Sequence, residues 1–212
     1  MTEKPVLFDY FRSSASYRVR IALNLKGVAY DSVPTSLLDA ANKAPDFVAR
    51  NPQGFVPMLS IDGHDLIQSL AIIDYLDAQY PDPPMVSSDP LQRSQTLAQA
   101  MIIAADIHPL NNLRVLKYLK GELGLAQDVV DTWYRHWVIE GFKALEAMAP
   151  ASGLFGGDQP NLADVCLVPQ FANARRVDTP LNDFPKLVRI DAQLCKIPAF
   201  AAAQPDAVNP AG

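Results

Sequence analysis

Cysteine and histidine are scarce in this chain of 212 residues, which holds two of the first and three of the second. Cys166 and Cys195 do not make a disulfide scaffold; they fit structural thiols in a reducing compartment. His64, His108 and His136 leave the clustered serines without a neighbouring base. No G-x-S-x-G accompanies them, which argues against a serine hydrolase. Basic charge is also short: Lys and Arg number 18 against 23 Asp and Glu, a formal net charge of −5. A nucleic-acid binder normally carries the opposite balance. No apolar run approaches the roughly 20 residues of a membrane span. The opening "MTEKPVLFDYF" lacks a secretory apolar core. Internal repeats and low-complexity segments are missing too. These absences point to a cytoplasmic protein with no nucleic-acid or membrane partner. Its 49% hydrophobic and 19% charged residues are those of an ordinary globular chain. Its length suits one large domain or two small ones.

The first part reads as mixed α/β. "PVLFDYF" is a short strand. "SASYRVRIALNLKG" carries helix start and stop signals, with Lys26 in the last turn and Gly27 just past it. "VAYDSVPT" offers a second strand and "PDFVARNP" a short helical piece. In "VPMLSIDGHDLIQ" two apolar runs flank Asp62-Gly63, a hairpin turn signal. "SLAIIDYLDAQYP" is a helix with Ser69 as N-cap. "PDPPMVSSDP" has no periodicity and reads as a linker. Beyond it the pattern is helical throughout. Asp89-Pro90 starts a long helix toward His108. Val130, Trp133, Trp137, Phe142, Leu145 and Met148 recur at helical spacing. Asn161 and Asp164 stand as a near capping box. The expected layout is an α/β domain over 1–83, a linker over 84–89 and an all-helical domain over 90–212.

Three places invite chemistry. Ser13, Ser14 and Ser16 stand where a strand passes into a helix, and a helix start favours an anion there. Val56-Pro57 opens a strand-like run and is a candidate cis-proline turn. Such a turn offers the backbone of Val56 to an extended ligand. Gln68-Ser69 opens another helix and suits a carboxylate. Taken singly, each is as well explained by capping serines, solvated arginines or a loop proline.

Their order along the chain resembles a glutathione transferase. "SSASYRVRIALNLKG", "NPQGFVPML", "IQSLAIIDYL" and "LADVCLVPQFANARR" are similar to the zeta class, and "DIHPLNNLRVLKYL" is similar to bacterial members of its isomerase group. The resemblance implies a thioredoxin-like N-terminal domain, a helical-bundle C-terminal domain and a homodimer. It implies glutathione as cofactor and calls for no metal. Carried over by motif, Ser13 and Ser14 face the glutathione sulfur. Val56 holds the cysteinyl backbone. Gln68 and Ser69 hold the γ-glutamyl end, and His108 and Asn112 the glycyl end. Arg12, Arg114 and Arg176 are the candidates for an anionic substrate, with Arg175 as a solvated neighbour. The activity implied is cis–trans isomerisation of an activated ene-dione dicarboxylate by reversible thiolate addition. Maleylacetoacetate is the first choice and maleylpyruvate the second. Two alternatives stand beside it: transfer of glutathione to electrophiles such as α-halo acids, and a non-catalytic binding module. The zeta pattern usually has cysteine after the serine pair, and here Ala15 stands there. Trp133, Trp137, Cys166 and Cys195 are expected to be structural.

Overall fold

The structure is a computed structural model that describes residues 3–209. It divides into two compact units. The first runs to Pro84 and also takes in the segment from Lys196 onward; the second spans Met85–Cys195.

In the first unit, β1 (Val6–Asp9) leads into α1 (Ser14–Leu25), and β2 (Asp31–Pro34) returns parallel to β1. After α2 (Pro45–Arg50), β3 (Met58–Ile61) and β4 (His64–Ile67) form an antiparallel hairpin, and α3 (Ser69–Gln79) closes the unit's first pass. The sheet has four strands in the order β2-β1-β3-β4, with β3 antiparallel to β1. This is the thioredoxin-like arrangement. Asp62 and Gly63 turn the hairpin with φ of 52° and 78°, the left-handed pair that a two-residue hairpin loop requires. Gly27, at φ 64°, ends α1 while Val28 N–H reaches back to Leu23 O. Those bonds satisfy carbonyls the helix would otherwise leave open. The Val56–Pro57 and Asp82–Pro83 peptide bonds are cis.

α1 is buried from Ser16 through Leu23, and two of those residues are arginines. The reading of solvated arginines in this stretch is therefore corrected. Arg20 is 1% exposed and donates to both oxygens of Asp9, at 2.7 and 2.8 Å. It also donates to the carbonyls of Phe11 and Ala203. A buried cation persists only when its charge and its donors are matched, and these four acceptors do so. The bond to Ala203, with Asn24 donating to Ala199 O, ties α10 (Pro198–Ala201) and its surroundings to α1. For this reason the segment from Lys196 joins the first unit, whereas the sequence pattern assigned it to the helical domain.

The second unit is helical. α4 (Pro90–Met101) begins at Asp89, whose carboxylate caps Gln92 N–H at 2.9 Å. It passes into a π-helical segment, Ile102–Ile107, and a short α5 (His108–Leu110). α6 (Leu113–Gly121), α7 (Gln127–Met148), α8 (Leu162–Arg176) and α9 (Pro185–Leu194) follow. The buried face of α7 is Val130, Tyr134, Val138, Phe142 and Leu145. Trp133 and Trp137 flank that face half-buried, and Met148 is exposed, so three of the six residues at helical spacing stand at its edge. The expected linker is partly built in: Met85 and Val86 are buried, and Met85 O accepts from Leu162 N–H.

α8 is the centre of this unit and is buried from Leu162 to Phe171. Its start is a full capping box of Asn161 and Asp164. Asp164 also accepts from Phe155 and Gly156 N–H, which fastens the preceding loop. Burial pushes its carboxyl up to about 6, against the pull of these backbone bonds. Cys166 is buried as expected. Cys195 is only half-buried; desolvation, with Asp191 beside it, raises its thiol to about 11 and keeps it protonated at neutral pH.

Candidate functional site

Ser13 is the N-cap of α1 and accepts from Ser16 N–H at 3.2 Å. A hydroxyl that accepts in this way keeps its own proton for another partner. Ser14, next to it, is buried, and Ala15 is half-buried. Ser16 is fully buried, and its Oγ has no hydrogen-bond partner among the described residues. The first turn of α1 has no acidic side chain, and exposed Arg12 precedes it. The helix field and this cation both favour negative charge at that spot. Asp9 lies close to the loop, but its carboxylate is taken by Arg20. A cavity of about 290 Å³ borders the loop before α1, walled in part by Arg12, Tyr10, Thr35, Ser36 and Val208 but not by Ser13 or Ser14. Arg12 also lies over the Phe11 ring, 5.2 Å from its centre.

The start of α3 departs from expectation. Ser69 was read as its N-cap, yet the N-cap position falls on Gln68, at φ 69°, and no side chain caps the helix. Ser69 is instead the first helical residue, and its Oγ accepts from Arg18 Nη1 at 3.3 Å. Gln68 is exposed, and its amide donates to Gln53 Oε1 at 2.6 Å. The first N–H groups of α3 thus lack a side-chain acceptor, which is the condition for holding a carboxylate. Buried Arg18 adds positive charge at the same place. Val56 is buried two residues before β3 begins. Ser13, Ser14, Gln68, Ser69 and Val56 all belong to this unit.

In the helical unit, His108 follows the π-helical segment and is half-buried. The turn after it is fastened to α7. Trp133 Nε1 donates to Leu110 O, and Asn111 Nδ2 donates to Tyr134 O, each at 3.0 Å. Asn112 caps α6 by accepting from Arg114 N–H at 3.1 Å, so its oxygen already has a local partner. Arg114 is exposed in the first turn of α6.

The two arginines that end α8 have different surroundings. Arg175 is not merely solvated: its Nη2 donates to buried Asp191 Oδ2 at 2.5 Å, and it lies over the Phe171 ring. Arg176 is exposed. Burial raises the Tyr134 phenol above its usual value, and the Arg176 charge opposes that rise. Tyr134 was missed in the sequence, although it lies four residues from Val130 on the same helix face. Arg18 and Arg20 were missed because their partners are far apart in the chain. Among the described residues no cluster suits a metal ion, and no helix is long and apolar enough to cross a membrane.

Comparison with known proteins places these features in a family context. Residues 4–78 match the glutathione S-transferase N-terminal domain. Maleylacetoacetate isomerase of Rhizobium meliloti is 47% identical over 99% of this chain and 100% of its own length. A solved holo structure of a maleylpyruvate isomerase, described as a bacterial zeta-class glutathione S-transferase, superposes with a TM-score of 0.94. It is 40% identical and covers 97% of this chain and 99% of its own. A maleylacetoacetate isomerase from Methylobacterium extorquens, solved with malonate and glutathione bound, has a TM-score of 0.91 at 35% identity. That match covers 95% of this chain and 97% of its own.

Proposed function

The chain belongs to the zeta class of glutathione transferases, and on that premise we propose that it is a glutathione-dependent cis–trans isomerase of an activated ene-dione dicarboxylate. Maleylacetoacetate is the preferred substrate, with maleylpyruvate second. The observation that carries this reading is the start of α1. It is an anion-favouring helix end with hydroxyls and a cation, yet it has no nucleophile of its own. Bound glutathione supplies that nucleophile as a thiolate, which adds to the substrate double bond and leaves again after rotation.

The residues present fit that cofactor. The uncapped start of α3 and the hydroxyl of Ser69 suit the γ-glutamyl carboxylate, with Gln68 beside them. Val56 serves the cysteinyl backbone. Ser13 donates a hydrogen bond from its hydroxyl to the thiolate sulfur, and Ser14 supports it. Together with the helix field they lower the thiol's pKa from about 8.5 toward neutrality. His108 and Asn112 serve the glycyl end. Arg12, Arg114 and Arg176 receive the substrate carboxylates, since the planar guanidinium binds two oxygens at once. A preorganised cation also favours the negative charge that develops on the substrate's carbonyl oxygens. The assembly is a homodimer in the cytoplasm; a monomer mass in sedimentation would correct the first of these.

Incubating the protein with each substrate, with and without glutathione, tests the reading. Glutathione-dependent appearance of the trans product is expected, with no net consumption of glutathione. Turnover that ignores glutathione overturns it. Ala15, which removes a thiol beside the serine pair, favours a second reading: displacement of halide from α-halo acids. Halide release matched by loss of glutathione would favour it over isomerisation.

A further inference from the structure

α1 packs against α3, and Arg18 reaches from the first helix to the start of the second. It is 1% exposed, and its Nη1 donates to Ser69 Oγ at 3.3 Å. A guanidinium has no acceptor, so the direction of this bond is fixed. The Ser69 oxygen receives, and its own proton is left for another partner. A serine inside a helix commonly gives that proton to a carbonyl one turn earlier. Ser69 is the first residue of α3 and has no helical turn before it. Its hydroxyl therefore adds a proton to the N–H groups of the same helix start, which no side chain caps. Behind them stands a cation withdrawn from water, where salt screens it less than at the surface. Arg18 also lies one helical turn after Ser14, in the helix that opens at the serine pair.

We propose that Arg18 is a positioning residue for the γ-glutamyl carboxylate of glutathione. It turns the Ser69 hydroxyl toward that carboxylate as a donor, and its buried charge adds attraction from behind. The inference rests on the preceding assignment of Ser69 to the γ-glutamyl end. Arg18 does not touch glutathione; its main effect passes through Ser69.

Calorimetry on the full chain with two ligands tests this. One is glutathione; the other is 4-aminobutyryl-cysteinyl-glycine, which is glutathione without the γ-glutamyl carboxylate. The wild type should prefer glutathione. Arg18→Met fills the same space without donor or charge. It should weaken glutathione roughly three- to tenfold, the scale of one hydrogen bond, and leave the analogue's affinity as in the wild type. In a Ser69→Ala background the same substitution should cost less. Arg18→Lys keeps a buried charge without the planar fork, and serves where Arg18→Met does not fold. It should show a smaller loss, again for glutathione alone. A packing role would weaken both ligands equally, or cost as much with Ser69 replaced. Either result overturns the proposal, as does a wild-type preference that both Arg18 variants leave intact. A wild type that binds both ligands equally removes the assignment of Ser69 and this inference together. Ligand-selective loss in a protein without glutathione-dependent isomerisation removes the isomerase reading and supports this inference.

Discussion

Deleting the Ser13 hydroxyl removes an acceptor and a donor at one stroke, and the two losses are separable. As N-cap, Ser13 satisfies Ser16 N–H, so Ser13→Ala should lower stability by about 1 kcal/mol, read in denaturant unfolding. As the proposed donor to the glutathione sulfur, it is expected on removal to raise the pKa of the bound thiol, read by thiolate absorbance in the same variant. A stability loss with an unchanged thiol pKa would move the donor role to Ser14. Residue types in this loop were legible because Arg12, Ser13 and Ser14 are contiguous. Their environment was not. Arg18 and Arg20 look like solvated charges in a list of letters, yet both are buried, and their partners are residues 69, 9, 11 and 203.

Elements with local signals were readable from sequence alone. The Asp62-Gly63 hairpin, the Gly27 helix end and the capping box of α8 depend on residues a few positions apart. The π-helical segment gives no such signal, because "IIAADI" suits an ordinary α-helix equally well. Its last residue, Ile107, packs against Gly141 of α7: a Cβ there would stand 2.3 Å from Ile107 Cδ1. Gly141→Ala should therefore displace Ile107 and the turn bearing His108 and Asn112. Strain of that kind costs roughly 1–3 kcal/mol. The measurement is glutathione affinity beside thermal stability; no change in either would show that the notch is dispensable. Asp164 gives a pH-dependent test at the start of α8. Its folded carboxyl titrates near about 6, above its usual value. The folded state thus keeps a proton that the unfolded chain has lost between roughly pH 4 and 6. Its contribution to stability falls as pH rises through that window. The stability gap between wild type and Asp164→Asn should drift against the wild type by on the order of 2–3 kcal/mol over the same range, then level off. A gap independent of pH would place the carboxyl at its ordinary value.

At the scale of the molecule, the change from α/β to helical character near residue 84 was visible in composition and periodicity. The destination of the last residues was not. Nothing in "IPAFAAAQPDAVN" announces that the carbonyls of Ala199 and Ala203 complete the donors of Asn24 and Arg20. Truncation before Pro198 should lower hydrogen-exchange protection in α1 while leaving α7 and α8 protected; equal loss in all three helices would contradict this partition. One consequence concerns synthesis on the ribosome. Domains generally fold as units, the N-terminal one first. Here the first unit cannot be finished on that schedule, because the segment from Lys196 onward is encoded after the helical unit. The buried Arg20 must wait, through translation of the whole helical unit, for the acceptor supplied by Ala203. The helical unit, Met85–Cys195, is contiguous in sequence, so its chain is complete before the closing segment of the first unit is made.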